Sequence, residues 1–411
     1  RLGDAGLRAA RRGDIPATVS LLSRASSLLP ENQALRRELQ CELAIGLRAS
    51  GDVSAATAVL QAVVNEASDV GDRRLELRAR IEHAYLQSGA TDMVFDAAKA
   101  GIPIFEMTDD HRSLARAYLL VGAVEGARRG RHKAREEAAE RALVHYERSG
   151  WSTATCLGEI ATALYQGPTS TTDGIRRIEE LRETVVSDRM ARAHLDVMLA
   201  GLVAQQGRFD EARALAAEAQ VTYAELGQAA ASVIYATAIR GDIERLAGDL
   251  AAAKEVSFGL CRDQYRLGAY GPLASSAGDL AATLYADGCF DDSKKWVAVA
   301  ERYSAADDLD ARLHWMPVRA KLAARRSAFD EAERLAEEAV VLSAATDALN
   351  LRAAAHADFA EVLHLAGESR RAETQFREAR SLYERKGNSV GAARVRAIRD
   401  ALAFARQESA S

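Results

Sequence analysis

The sequence predicts an all-α protein: a right-handed superhelix, or α-solenoid, of about ten helical hairpins with a period of about 40 residues. Three observations carry this. Residues suited to a tight turn recur at Gly13, Gly51, Gly89, Gly130, Gly167, Gly207, Gly248, Gly288, Ser327 and Gly367, at intervals of 37 to 41 residues. Alanine, leucine, arginine and glutamate dominate the composition, and only six prolines occur in 411 residues, which favours helix throughout. Finally, "GRFDEARALAAEA" (207–219) returns as "SAFDEAERLAEEA" (327–339), three intervals later, so one helix start is written repeatedly.

Within each unit the elements follow in a fixed order. The first helix carries a small residue seven positions before the turn, at Gly6, Ala44, Ala123, Ala200, Gly241, Ala281, Ala320 and Ala360; Glu82 and Ile160 break the rule. A small side chain there lets two helices cross closely. The turn residue follows, and Ser327 in place of glycine predicts a tighter or differently capped ninth turn. The second helix opens on acidic residues such as Asp210 and Glu211, which the macrodipole favours. Its apolar positions Ala212, Leu215, Ala216, Ala219 and Tyr223 share one face. A residue that tolerates a left-handed backbone or closes a turn ends the unit: Gly71, Asp109, Gly150, Ser187, Gly227, Gly268, Asp308, Asp347 and Gly387. Hairpins of this size cannot bury their faces alone, and no Gly/Ser/Pro-rich linker interrupts the chain. Residues 1–411 therefore read as one array. The irregular "YQGPTSTTDG" (165–174) predicts an exposed loop, and Pro317 either starts or kinks its helix.

Several function classes find no support. A formal net charge of −5 gives no overall attraction to nucleic acid or anionic membrane. The basic stretch "RRGRHKAR" (128–135) is followed at once by Glu136 and Glu137 and has no counterpart in other repeats. No apolar run reaches the roughly 20 residues that span a bilayer. Cys41, Cys156, Cys261 and Cys289 are too scattered for a zinc site or disulfide framework and read as buried thiols of a cytoplasmic protein. No phosphate loop, HExxH, GxSxG or EF-hand spacing occurs. His356 and His364 lie two helical turns apart, too far to share a metal, and the glycines of "GAVEGARRG" (122–130) suit close helix packing. No catalytic residue, metal or cofactor is therefore expected. The chain opens on Arg1, which suggests a piece of a longer protein.

The spacing Ala200, Gly207, Ala212, repeated at Ala360, Gly367, Ala372, resembles the tetratricopeptide repeat, with a longer period. Phrases such as "LRAARRGDIPATVSLLSRASSLLP" (7–30), "LYQGPTSTTDGIRRIEEL" (164–181), "LAGLVAQQGRFDEARALAAEA" (199–219) and "YERKGNSVGAARVRA" (383–397) resemble the C-terminal sensor region of bacterial AAA/STAND signalling ATPases. Such regions are fused to adenylate/guanylate cyclase or LuxR-type modules. The resemblance implies a non-catalytic regulatory sensor whose concave groove takes a peptide, a protein segment or a small effector, attached to an ATPase or effector domain. The alternative is a free-standing scaffold that assembles partner proteins or forms a homodimer. Family register places groove residues 13, 10, 6 and 3 positions before the turn. In repeats four and five these include Leu120, Val124, Leu157 and Leu164, among alanines, so the groove is expected to be apolar there unless these residues simply pack. In later repeats they include Tyr235, Asp242, Arg245, Tyr285, His314, Lys321, Glu361 and His364, which predicts a polar groove.

Overall fold

The computed structural model describes residues 1–88 and 91–410. It contains ten helical hairpins, from Leu2–Arg11 with Ile15–Leu28 to Leu349–Leu365 with Ser369–Lys386, followed by the helix Ser389–Ala410. No strand occurs among the described residues. The turn of the third hairpin, Gly89 included, lies outside the described residues.

The repeated turn has one physical recipe. In the sixth hairpin, Arg189–Gln205 with Phe209–Glu225, Gly207 adopts φ 83°; its N–H donates to Ala204 O (2.9 Å) and Arg208 N–H to Val203 O (3.3 Å). Only a left-handed residue lets two orphaned helix-end carbonyls be satisfied in so short a loop. Ser327 does the same at φ 60°, with Ser327 N–H to Ala324 O and Ala328 N–H to Ala323 O. The ninth turn is therefore the ordinary one, built under strain, and not a tighter variant.

Among the described turns two depart from the recipe, in opposite directions. The fourth first helix ends at Ala127, three residues before Gly130, and its turn is wider: Gly130 N–H reaches Gly126 O and Arg131 N–H reaches Glu125 O. The fifth, Ala154–Gln166, runs up to Gly167, which has no positive φ. Gly167 is glycine for proximity: a Cβ there would stand 2.6 Å from Ala163 O and 2.7 Å from His132 Cβ. Counting back from these glycines thus misplaces the register by one residue each time. Shifted accordingly, buried Gly122 takes the crossing position from Ala123, and buried Ala161 takes it from Ile160.

The chain forms two compact units, residues 1–124 with 137–156, and residues 125–136 with 157–411. The core of the first is built from successive small clusters, such as Leu60, Val63 and Leu75, then Leu77, Val94, Phe105, Leu114 and Leu120. The second has a large continuous core running from Cys261 and Leu273 through Trp315 and Leu335 to Phe376 and Val395. Alanines 212, 281, 320, 332 and 360 are all fully buried, as helix crossings require. Pro317 is the ninth residue of Leu309–Arg325, well beyond its first turn.

The second unit closes on itself through a seam between distant repeats. Asp347 accepts hydrogen bonds from the N–H groups of His132 (2.8 Å) and Lys133 (2.9 Å), and so caps the helix His132–Ser149. Leu309 N–H donates to Arg128 O (2.8 Å). Lys386, fully buried, donates to the carbonyls of Leu164, Gly167 and Thr169 at 2.8–2.9 Å. Arg394 donates to Arg245 O. The 165–174 segment is consequently not an exposed loop: its carbonyls hold a lysine, and Thr171 within it is fully buried and donates to Lys386 O.

Candidate functional site

The first helices of the second unit bring six of the predicted groove residues into a polar site made of two clusters. Its first half centres on Asp279, in the helix Tyr270–Ala286. Arg245 pairs with both Asp242 and Asp279, and Tyr165 donates to Asp242 at 2.9 Å. His314 Nδ1 lies 3.0 Å from Asp279, and its Nε2 lies 3.7 Å from Asp310, which also accepts from Ser275. Gly278 makes this approach possible, because a Cβ there would fall 2.7 Å from His314 Cβ and 2.8 Å from its carbonyl carbon. Burial works against a charge on His314, but Asp279 and Asp310 outweigh it and hold the imidazole well above its ordinary pKa. Burial likewise resists the Asp279 carboxylate, yet Arg245 and His314 keep it ionised far below the usual range. Asp242 is pushed the other way, by burial and by the neighbouring Asp279 charge.

The second half surrounds Tyr285. Its phenol donates to Glu361 (2.5 Å) and accepts from Arg325 Nε (2.8 Å). Lys321 sits 4.4 Å from the centre of the same ring and pairs with Asp358 (2.6 Å) and Glu361 (3.7 Å). Burial disfavours the ammonium, but the two carboxylates hold it protonated. Five carboxylates thus meet four cations, through pairs within one helix (Asp242 with Arg245, Asp310 with His314) and pairs between helices (Arg245 and His314 with Asp279, Lys321 with Asp358 and Glu361).

The remaining predicted residues fall elsewhere. Tyr235 lies in the π-helical segment Ser232–Thr237 of the seventh repeat, edge-on to His194 at 5.5 Å. His194 in turn meets the Tyr223 hydroxyl at 2.7 Å, and burial lowers its pKa to about 4. His364 lies half-buried one turn beyond Glu361. Leu120, Val124, Leu157 and Leu164 are at most 3% exposed and belong to the packing, so no open apolar groove exists at these positions. The register shift explains the error. One residue off, the fourth repeat presents Arg116 and the fifth presents Tyr165. Asp279, Asp310, Arg325 and Asp358 were missed because they lie one position or one turn outside the four family positions. Among the described residues no group of three or more His, Cys, Asp and Glu could hold a metal ion, and no helix is long and apolar enough to cross a membrane.

No protein-family model matches the sequence. No curated protein matches it either. Solved structures do. A Rap protein complexed with competence and sporulation factor is 14% identical with a TM-score of 0.61, over 85% of this chain and 98% of that one. The apo quorum sensor NprR from B. thuringiensis is 12% identical (TM-score 0.44; 93% and 97%). A signal transduction ATPase with numerous domains, carrying a tetratricopeptide repeat sensor, from Pyrococcus horikoshii is 13% identical (TM-score 0.41; 93% and 67%). The first of these likenesses establishes the fold, a helical-repeat solenoid of tetratricopeptide type.

Proposed function

We propose that this chain is a non-catalytic sensor and interaction module that takes a peptide segment or small polar effector on the network of its second unit, and that it regulates an ATPase or effector domain attached to it. The observation that carries this is the pair of polar clusters itself: Asp242, Arg245 and His314 gather around Asp279, and Tyr285, Lys321 and Glu361 gather around one another, so that residues from four repeats hold charges and donors on one run of helices. Side chains of Arg245 and Asp279 retain 27% exposure, so paired charges there are accessible for exchange with a ligand's own amides and charges. The Rap structure, bound to a factor, supports the same use of this fold. The test is a thermal-shift screen of peptides and metabolites, followed by calorimetry on Tyr165→Phe and Tyr285→Phe, which keep the packing and remove one hydroxyl each. A hit whose affinity is unchanged in both variants does not bind here, and the proposal fails.

One observation favours the scaffold reading. Tyr265, Leu267 and Tyr270 are 56, 49 and 47% exposed, and Tyr270 stacks on Tyr303 at 5.1 Å. An exposed aromatic cluster of this kind suits self-association. Sedimentation showing a dimer that Tyr270→Asp dissociates would support it.

A further inference from the structure

The open end of the fourth hairpin brings together two histidines that take no part in the polar clusters of the second unit. His111 is the first residue of the helix His111–Ala127, and His145 lies near the end of its partner His132–Ser149. Their Nδ1 atoms are 3.1 Å apart, and the ring planes are inclined at 31° with centres 5.1 Å apart. Both residues are half-buried, so solvent reaches them. The backbone fixes His111: Asp109 adopts a left-handed φ of 50°, Asp110 N–H donates to Phe105 O (2.9 Å), and Asp110 then caps the helix by accepting from Ser113 N–H (3.0 Å). Tyr118 fixes His145. Its ring lies parallel to the imidazole, within 9° and with centres 5.9 Å apart, while its hydroxyl donates to Glu106 (3.4 Å).

Two Nδ1 atoms that face one another can be joined in two ways. A proton between them makes one ring the donor and the other the acceptor. Without that proton both nitrogens offer lone pairs, and the neutral imidazole is the commonest protein ligand for metal ions. The spacing suits the second way as well as the first. Two nitrogens bound side by side to one ion at about 2.0–2.1 Å stand roughly 2.9 Å apart at a right angle and roughly 3.4 Å apart at the tetrahedral angle. The observed 3.1 Å falls between these limits. Rotation about the last side-chain bond of a histidine is soft, so a modest turn of each ring aims both lone pairs at one ion. Among the charged neighbours of His145, Arg148 opposes a cation and Glu106 attracts one. No third His, Cys, Asp or Glu completes a ligand set among the described residues, which leaves the remaining coordination positions open.

We propose that His111 and His145 bind one exchangeable divalent transition-metal ion, of the zinc, nickel and copper class, through their Nδ1 atoms, with water in the remaining positions. Imidazole suits these ions, whereas magnesium and calcium take oxygen ligands. The ion ties the start of one helix to the end of the other, at the end of the hairpin remote from Gly130, and so stabilises the paired helices in proportion to its occupancy.

The test is calorimetric titration of the full chain with nickel, zinc and copper(II) chlorides, against magnesium chloride at equal ionic strength. Saturable binding of the three transition metals, copper most tightly, and none of magnesium is expected. His111→Gln and His145→Gln should each weaken nickel binding at least about tenfold, since even the loss of an outer-shell partner costs that much. His356→Gln, which removes a histidine of the second unit bonded to Gln375, should change nothing. Paramagnetic resonance of the copper-loaded chain should show two equatorial nitrogen ligands, and fewer in either variant. Nickel affinity unmoved by both substitutions, or a copper spectrum with a single nitrogen ligand, overturns the proposal and leaves the pair as a hydrogen bond and nothing more. Should one variant fail to fold, the other decides together with the copper spectrum of the unmodified chain, which needs no substitution.

Discussion

Lys386→Met measures what the seam of the second unit contributes. The ammonium is fully buried and donates to three carbonyls, of Leu164 (2.9 Å), Gly167 (2.8 Å) and Thr169 (2.8 Å). Methionine fills a similar volume and donates nothing. The contacts to the Leu164 and Gly167 carbonyls are buried, and orphaning each of these acceptors costs about 1–3 kcal/mol. The contact to Thr169 is only partly buried, so water can replace the lysine there. Removing the lysine also abolishes its own dehydration cost, which offsets part of the loss. The net expectation is about 2–4 kcal/mol of lost stability by urea unfolding, with the upper figure requiring that no water enters. Hydrogen exchange localises the effect: amides of 164–171 should lose protection, and those of 1–88 should not. A loss below about 0.5 kcal/mol, with unchanged exchange at 164–171, would mean that the lysine does not hold the seam.

Other perturbations test the remaining arguments. Ser327→Gly relieves a left-handed serine (φ 60°) and should raise stability by about 0.5–1 kcal/mol after the entropy cost of glycine, seen as a higher urea midpoint. Asp308 has its pKa raised to about 6, chiefly by burial, while it caps Ala311 N–H. The folded state therefore binds the extra proton between about 4 and 6, and stability falls as pH rises through that window. Asp308→Asn keeps the cap without the charge, so it should be about 1–3 kcal/mol more stable than wild type at pH 7.5 and no better at pH 4, by melts at both pH values. Ala332→Leu places a large side chain at a fully buried crossing and should cost about 1–3 kcal/mol; unchanged stability would refute the crossing assignment.

The fold was legible because the repeats restate a few local devices often enough for weak signals to agree: a turn residue, a small residue at the helix crossing in nearly every repeat, and an acidic helix start in half of them. The site was legible only where the turn kept its length. Counting back from Gly248, Gly288, Ser327 and Gly367 reaches network residues in every case. Counting back from Gly130 and Gly167 reaches the core instead, since one turn is wider and the other lacks the left-handed residue. A one-residue slip rotates a helix by about 100°, enough to exchange Arg116 for Ala117 and Tyr165 for Leu164. The seam was not legible at all. Lys386 and Asp347 belong to single long-range contacts, and a carboxylate that ends one repeat carries no local sign that it caps a helix more than 200 residues away.

The interior network and the seam share two stretches of backbone, and this gives the sensor reading a mechanical basis. Arg245 pairs through its guanidinium with Asp242 and Asp279, while its carbonyl accepts from Arg394 across the seam. Tyr165 donates to Asp242, while the carbonyl immediately before it, that of Leu164, accepts from Lys386. A ligand that draws Arg245 or Tyr165 away from Asp242 acts on residues whose own or adjoining peptide units hold the seam, so binding is expected to couple to closure wherever the backbone follows the side chain. The coupling also runs backwards, because linkage is reciprocal: a variant that opens the seam should change ligand affinity without touching the ligand. Lys386→Met thus serves twice. If it leaves the affinity of an interior ligand intact while lowering stability, the seam is a structural lock and nothing more; if affinity moves with stability, closure and binding are one equilibrium.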